Sequence, residues 1–295
     1  MRFGVTLFAT DRSIGIVELA RAVEERGLDS LWVPEHTHIP TSRCTPYPNG
    51  GDLPDEYRRC LDPFVGLTAA AIAAPTLRVG TGILLVAQHD PIVAAKAAAT
   101  LDVVTGGRFS MGIGFGWNED EMNDHGVDYA TRRDRSREHV LAMRALWTQE
   151  EASFDGQYVH LPPSWSWPKP VQPGGPPILI GGAAGPKLFH HIAEYADGWI
   201  PIGGRGITDA LPKLHAAFED AGRDPSSVQV TPFGSIPDPG KLDYFQSLGV
   251  TECVFQLPSA PADRVLPLLD KQAAIVAERR GQAAPRACVV AAMPR

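Results

Sequence analysis

Leu101–Glu121 reads LDVVTGGRFSMGIGFGWNEDE. An apolar helix ends at Gly106-Gly107, a short apolar strand follows, and glycines then recur at alternate positions 112, 114 and 116 before Trp117 and an acidic run. This is the hinge of an αβ unit: helix, tight turn, strand, glycine-rich strand end. Glycine weakens a strand, so the run marks either a crowded barrel corner or a close approach of backbone to a flat ligand. Both readings are open at this point.

The same alternation extends outward in both directions. Strands are expected at 2–8, 30–33, 77–86, 108–114, 177–180, 198–202, 228–233 and 252–257. Helices are expected after Asp11, where Ile16, Leu19, Ala20 and Val23 share one face, and then at 63–74, 91–104, 132–148, 186–195, 207–221, 241–248 and 262–277. The 91–104 helix is apolar almost all round and therefore reads as buried. Eight β/α units in one chain of 295 residues predict an α/β fold, a (β/α)8 TIM barrel with long mouth loops. The barrel domain spans 1–280, with lid segments at 37–61 and 153–176 and a tail at 281–295.

Composition narrows the class. A net charge of −7 argues against nucleic-acid partners, which demand a basic face. The four cysteines show no paired-knuckle or CxxC spacing, so neither a zinc ribbon nor a redox dithiol is expected. No apolar stretch reaches spanning length, so no membrane partner is expected, and the N-terminus lacks a signal-peptide pattern; a cytoplasmic location is the default.

In a TIM barrel the chemistry lies at the C-terminal strand ends. The second strand ends in WVPEHTHIP, which places His36 at the mouth as a candidate acid or base with Glu35 beside it to tune or orient it. The His36-x-His38 spacing permits a metal, but the later strand ends offer Gly181, Gly182, Pro201, Ile202 and Gln256 rather than further ligands, so no metal is expected. The fifth strand closes at Gly181-Gly182 and a helix opens at Pro186. The amides of Gly182, Ala183 and Ala184 then suit an anion, although an ordinary βα turn also favours glycine. Arg132, Arg133, Arg135 and Arg137 read either as an attractor for an acidic ligand tail or, preferably, as a solvated helix face paired with Asp134 and Glu138.

These stretches resemble bacterial-luciferase-like oxidoreductases, in particular the group that uses the deazaflavin coenzyme F420. The likeness rests on MRFGVTLF (1–8), LWVPEHTH (31–38), the long run from Arg78 to Trp117, and PPILIGGAAGPKLFHHIAEYADGWIP (176–201). It implies a TIM barrel with one cofactor across the strand mouths, F420 or alternatively FMN, and a homodimer. It implies a cis-peptide bulge at Gly82–Ile83 behind the ring, His36 facing the ring, Glu35 beside it, and the 181–184 turn on the phosphate. One departure is plain: where sugar-phosphate dehydrogenases of this family carry a catalytic glutamate, this chain has Trp117, which packs over the ring or simply walls the mouth. The expected activity is hydride transfer between deazaflavin C5 and a small organic substrate held under loops 37–61 and 153–176. An FMN-dependent monooxygenase and a non-catalytic flavin carrier are the alternatives.

Overall fold

The computed structural model describes residues 1–281; of the tail read at 281–295, all but Gly281 lies outside the described residues. The elements run β1 (Arg2–Thr6), α1 (Ile16–Glu25), β2 (Ser30–Val33), α2 (Pro63–Ala73), β3 (Arg78–Leu84), α3 (Pro91–Thr105), β4 (Phe109–Ile113), α4 (Glu119–Asp124), α5 (Arg132–Thr148), β5 (Ala152–Asp155), β6 (His160–Ser164), β7 (Ile178–Gly181), α6 (Pro186–Tyr195), β8 (Gly198–Ile200), α7 (Ile207–Asp220), β9 (Gln229–Val230), β10 (Phe233–Ser235), α8 (Pro239–Ser247), β11 (Glu252–Gln256) and α9 (Ala262–Arg279). Nine parallel strands form one curled sheet in the order β10-β11-β1-β2-β3-β4-β7-β8-β9. This is the expected α/β barrel of TIM type.

The strand expected at 228–233 is divided in two. Its first half, β9, pairs with β8, and its second half, β10, pairs with β11. Pro232 lies between them and has no N–H to give to a ladder. The neighbouring amides keep the wall continuous: Thr231 N–H donates to Trp199 O and Phe233 N–H to Pro201 O, while Pro232 O accepts from Val254 N–H. Inside the barrel, Trp32, Leu179, Ile200, Phe233 and Val254 form a cluster separate from the larger layer between strands and helices, and Ile83 packs on it from the mouth side.

Helix α3 shows how sequence sets an element's ends and how packing decides its faces. Asp90 caps the start by accepting from Ile92 and Val93 N–H, Pro91 occupies the first turn, and Gly106 ends the helix in the left-handed region at φ 62°. The expectation that this helix is buried holds for one face only. Ala94, Ala95, Ala98 and Ala99 face the barrel, whereas Val93 is 64% exposed and Ile92, Val103 and Val104 also reach solvent. Small side chains let the helix lie close to the sheet, and the branched ones are left outside.

The second lid is also relocated. Residues 152–164 form the antiparallel hairpin β5–β6. The segment after it runs along α3, where Lys96 Nζ donates to Trp167 O, and reaches the helix's far end, where Asp102 accepts from Val171 and Gln172 N–H. That end leads into the start of β4, so the segment descends to the N-terminal side of the barrel and covers no mouth.

Candidate active site

The strand ends enclose a cavity of about 440 Å³ lined by Glu35, His36, Gly82, Ile83, Trp117, Gly181 and Gly182, with Phe8, Tyr47, Pro48, Asn49 and Tyr57 among the other walls. Seven of the nine residues singled out in the sequence thus meet in one place. Ala183 and Ala184 lie just beyond, on the exposed turn before α6.

The floor is built by β3 and β4. The Gly82–Ile83 peptide is cis, and the β3–β4 register shifts between Thr81 and Leu84. The glycines of the opening stretch answer to packing. A Cβ on Gly112 would lie 2.2 Å from Thr81 O, and one on Gly114 would lie 2.5 Å from Ile83 Cδ1. The crowded-corner reading therefore holds for Gly112, while Gly114 both makes room for Ile83 and borders the cavity.

Glu35 sits beside the site but does not orient His36. Its Oε2 accepts from Leu85 N–H at 2.7 Å, its Oε1 lies 2.8 Å from His89 Nε2, and its own N–H donates to Ile83 O at 3.2 Å. All three bonds brace the segment after the bulge. Burial pulls the His89 imidazole downward, but the hydrogen bond and charge of Glu35 outweigh it and the net shift is upward.

The carboxylate on His36 is Glu121, which the sequence reading passed over. His36 Nδ1 lies 2.7 Å from Glu121 Oε2, with the two side chains 7% and 0% exposed. Glu121 belongs to α4, a short helix absent from the expected elements. Its signal was present: Asn118 before three acids has the composition of a helix start. Helix α4 also holds the 37–61 loop. Asp120 accepts from Cys44 N–H, Thr45 N–H and Thr45 Oγ1, and Asp124 Oδ2 pairs with His38 Nε2 at 3.0 Å. The loop delivers Tyr47 and Tyr57, which meet Trp117 edge-on at 5.9 and 6.2 Å and each other at 5.4 Å. His36 packs against Tyr57 at 5.0 Å and Trp117 at 6.0 Å. Burial, then the neighbouring Tyr47, pushes the Tyr57 hydroxyl far upward, so it stays protonated.

At the other end of the cavity the arginines depart from the preferred reading. None pairs with Asp134 or Glu138 among the described residues: Arg137 bonds Glu194, and Glu138 accepts backbone N–H groups of Gln157, Tyr158 and Val159. Arg132 and Arg133 line the cavity, stacked over Tyr129 and Phe115. Arg132 Nε and Arg133 Nη1 are buried without a partner among the described residues, and burial, then the adjacent Arg132, pulls the Arg133 guanidinium downward. Such donors ask for an anion. The turn at 181–184 supplies less than expected, since Gly182 N–H already donates to Ile200 O at 3.3 Å; the Ala183 and Ala184 amides have no partner among the described residues. No group of three or more metal-ligating side chains occurs among the described residues.

Residues 1–236 match the family described as luciferase-like monooxygenase. An uncharacterised protein of Mycobacterium tuberculosis is 45% identical over 281 residues, 94% of this chain and 99% of its own length. The F420-dependent hydroxymycolic acid dehydrogenase of the same organism is 31% identical over 228 residues, 75% of this chain and 57% of that protein. In three dimensions the monooxygenase RslO1 from Streptomyces bottropensis superposes with a TM-score of 0.76 at 20% identity, covering 95% of this chain and 100% of RslO1.

Proposed function

The chain belongs to the luciferase-like monooxygenase family, and on that footing we propose that it is an F420-dependent oxidoreductase acting on a small uncharged alcohol or its carbonyl counterpart. The observation that carries this reading is His36: a buried imidazole at the cavity wall with a carboxylate behind one ring nitrogen and, among the described residues, no hydrogen-bond partner on the other. Reactions that move a hydride between carbon centres of an alcohol and a cofactor also move one proton, and such a histidine handles it.

The residues present fit a flat ring carrying an anionic tail. Gly82, Ile83 and Gly114 give a smooth floor, Arg132 and Arg133 line the same cavity, and just beyond it lie the Ala183 and Ala184 amides, which have no partner among the described residues. The first group would hold the ring and the second its phosphate and acidic tail. When bound, the deazaflavin supplies two-electron hydride exchange at its C5. His36 Nε2 accepts the hydroxyl proton as the alcohol is oxidised and returns it as the carbonyl is reduced. Tyr47, Tyr57 and Trp117 form an apolar wall without an acid, which suits an uncharged substrate and excludes water from the reacting atoms. The hydroxymycolic acid dehydrogenase among the relatives, by its name F420-dependent, supports the same chemistry. We further propose that a second copy of the chain covers the exposed apolar face of α2 and α3.

The test is a pair of equilibrium titrations following tryptophan fluorescence as F420 or FMN is added. F420 binding at micromolar or tighter Kd, with FMN at least about tenfold weaker, is expected. The reverse order overturns this reading in favour of an oxygen-using FMN monooxygenase. F420 binding without turnover of any alcohol or ketone would point to a cofactor carrier.

A further inference from the structure

We infer that Glu121 is the positioning residue that sets which nitrogen of His36 carries the proton. The inference rests on His36 being the proton-handling group of the proposed reaction, but its first test does not depend on that reaction.

Glu121 is fully buried, and among the described residues no lysine or arginine pairs with it. A buried carboxylate without a cation needs hydrogen-bond donors, because water no longer solvates its charge. Two donors are in place: His36 Nδ1–H toward Oε2 at 2.7 Å and Thr37 N–H toward Oε1 at 3.3 Å. An ionised carboxylate only accepts, so Nδ1 bears the hydrogen and Nε2 of the neutral ring is the acceptor. Among the described residues Nε2 has no hydrogen-bond partner. The ring is thereby fixed in the state able to take a proton from a substrate hydroxyl, and the imidazolium formed when it does so keeps a counter-charge at Nδ1.

A second histidine–carboxylate pair, His89 with the cavity-lining Glu35, is bonded the other way round. His89 meets Glu35 through Nε2, and Glu35 spends its remaining oxygen on Leu85 N–H. That pair belongs to the backbone brace, whereas the Glu121 pair leaves a ring nitrogen available at the cavity. The anchoring of α4 by Asp120 to Cys44 and Thr45 holds Glu121 in register with the loop that carries His36.

The experiment is long-range proton–nitrogen NMR on 15N-histidine-labelled protein without cofactor, the His36 signals being assigned by their loss in His36→Asn. Wild-type protein is expected to show the Nδ1–H tautomer. Finding Nε2–H instead overturns the inference without need of any further variant. In Glu121→Gln the ring is expected to lose that single tautomer, and kcat with the F420 pair to fall by about 100-fold or more while KM and cofactor Kd stay within about threefold, as for other carboxylate-oriented histidines. Glu121→Asp should restore a large part of both signals. An unchanged tautomer in Glu121→Gln overturns the inference. Wild-type Nδ1–H, lost in Glu121→Gln, together with no F420-linked turnover would uphold the positioning role and reject the proposed reaction.

Discussion

His36 and His89 each contact a buried glutamate, yet only His36 lines the cavity, and their environments assign them different work. His36 keeps one nitrogen for the cavity, so His36→Asn is expected to lower kcat by roughly 100-fold while leaving cofactor affinity nearly unchanged, a split read by steady-state kinetics beside the fluorescence titration. His89 is structural, and its upward-shifted ionisation makes its contribution to stability depend on pH. A group whose folded-state pKa is raised stabilises fully below its unfolded value, about 6.5, and that contribution is lost as pH rises through the higher folded value. Denaturant unfolding of wild type and His89→Gln should therefore show the wild type's advantage largest near pH 6 and smaller at pH 9. The sequence made His36 visible because a strand end in a barrel is a place for chemistry. It could not show that Glu35, its neighbour in the chain, turns to Leu85 and His89 while Glu121, 85 positions away, takes the ring. Adjacent residues on an extended segment point in opposite directions, so sequence proximity misleads there.

At the scale of elements, β3 and β4 illustrate how a floor is made by removing side chains. Gly112→Ala places a Cβ against Thr81 O, a backbone atom that cannot turn aside, and is expected to cost roughly 1–3 kcal/mol in chemical unfolding. Helix α4 is the element the periodicity missed: it has six residues, too few for a 3.6-residue pattern to declare itself. Its work is done by charge. Asp120→Ala removes the acceptor of three bonds to the 37–61 loop. Faster proteolysis within that loop and a higher KM are the expected readouts, because the loop carries Tyr47 and Tyr57 to the site. The 153–176 segment contains the β5–β6 hairpin, but none of it lines the cavity, so it is no lid. Its composition announces a break in the β/α repeat, but only the bonds to Asp102 show which end of the barrel it reaches.

The whole molecule presents an unusual outer face. Helix α2 carries no charged residue, and Val65 and Ile72 on it are 72% and 69% exposed; Ile92 and Val93 of the neighbouring α3 are exposed as well. Patches of that kind mark protein contacts in soluble proteins. Sedimentation should give a dimer for the wild type, and Ile72→Glu with Val93→Glu should shift it to a monomer if this face is the one covered. Among the described residues no helix is long and apolar enough to cross a membrane. By itself the sequence determined the order of strands and helices, the barrel, and the set of strand ends where chemistry gathers, because these follow from hydrophobic period and from glycine and proline at the turns, which are local properties. Only the tertiary structure decided that Pro232 splits a strand without breaking the wall, that Arg132 and Arg133 face the cavity, and that Glu121 rather than Glu35 holds His36. Those outcomes depend on which side chains converge after the chain has closed on itself, and on which buried polar groups then find partners, a condition no stretch of sequence states alone.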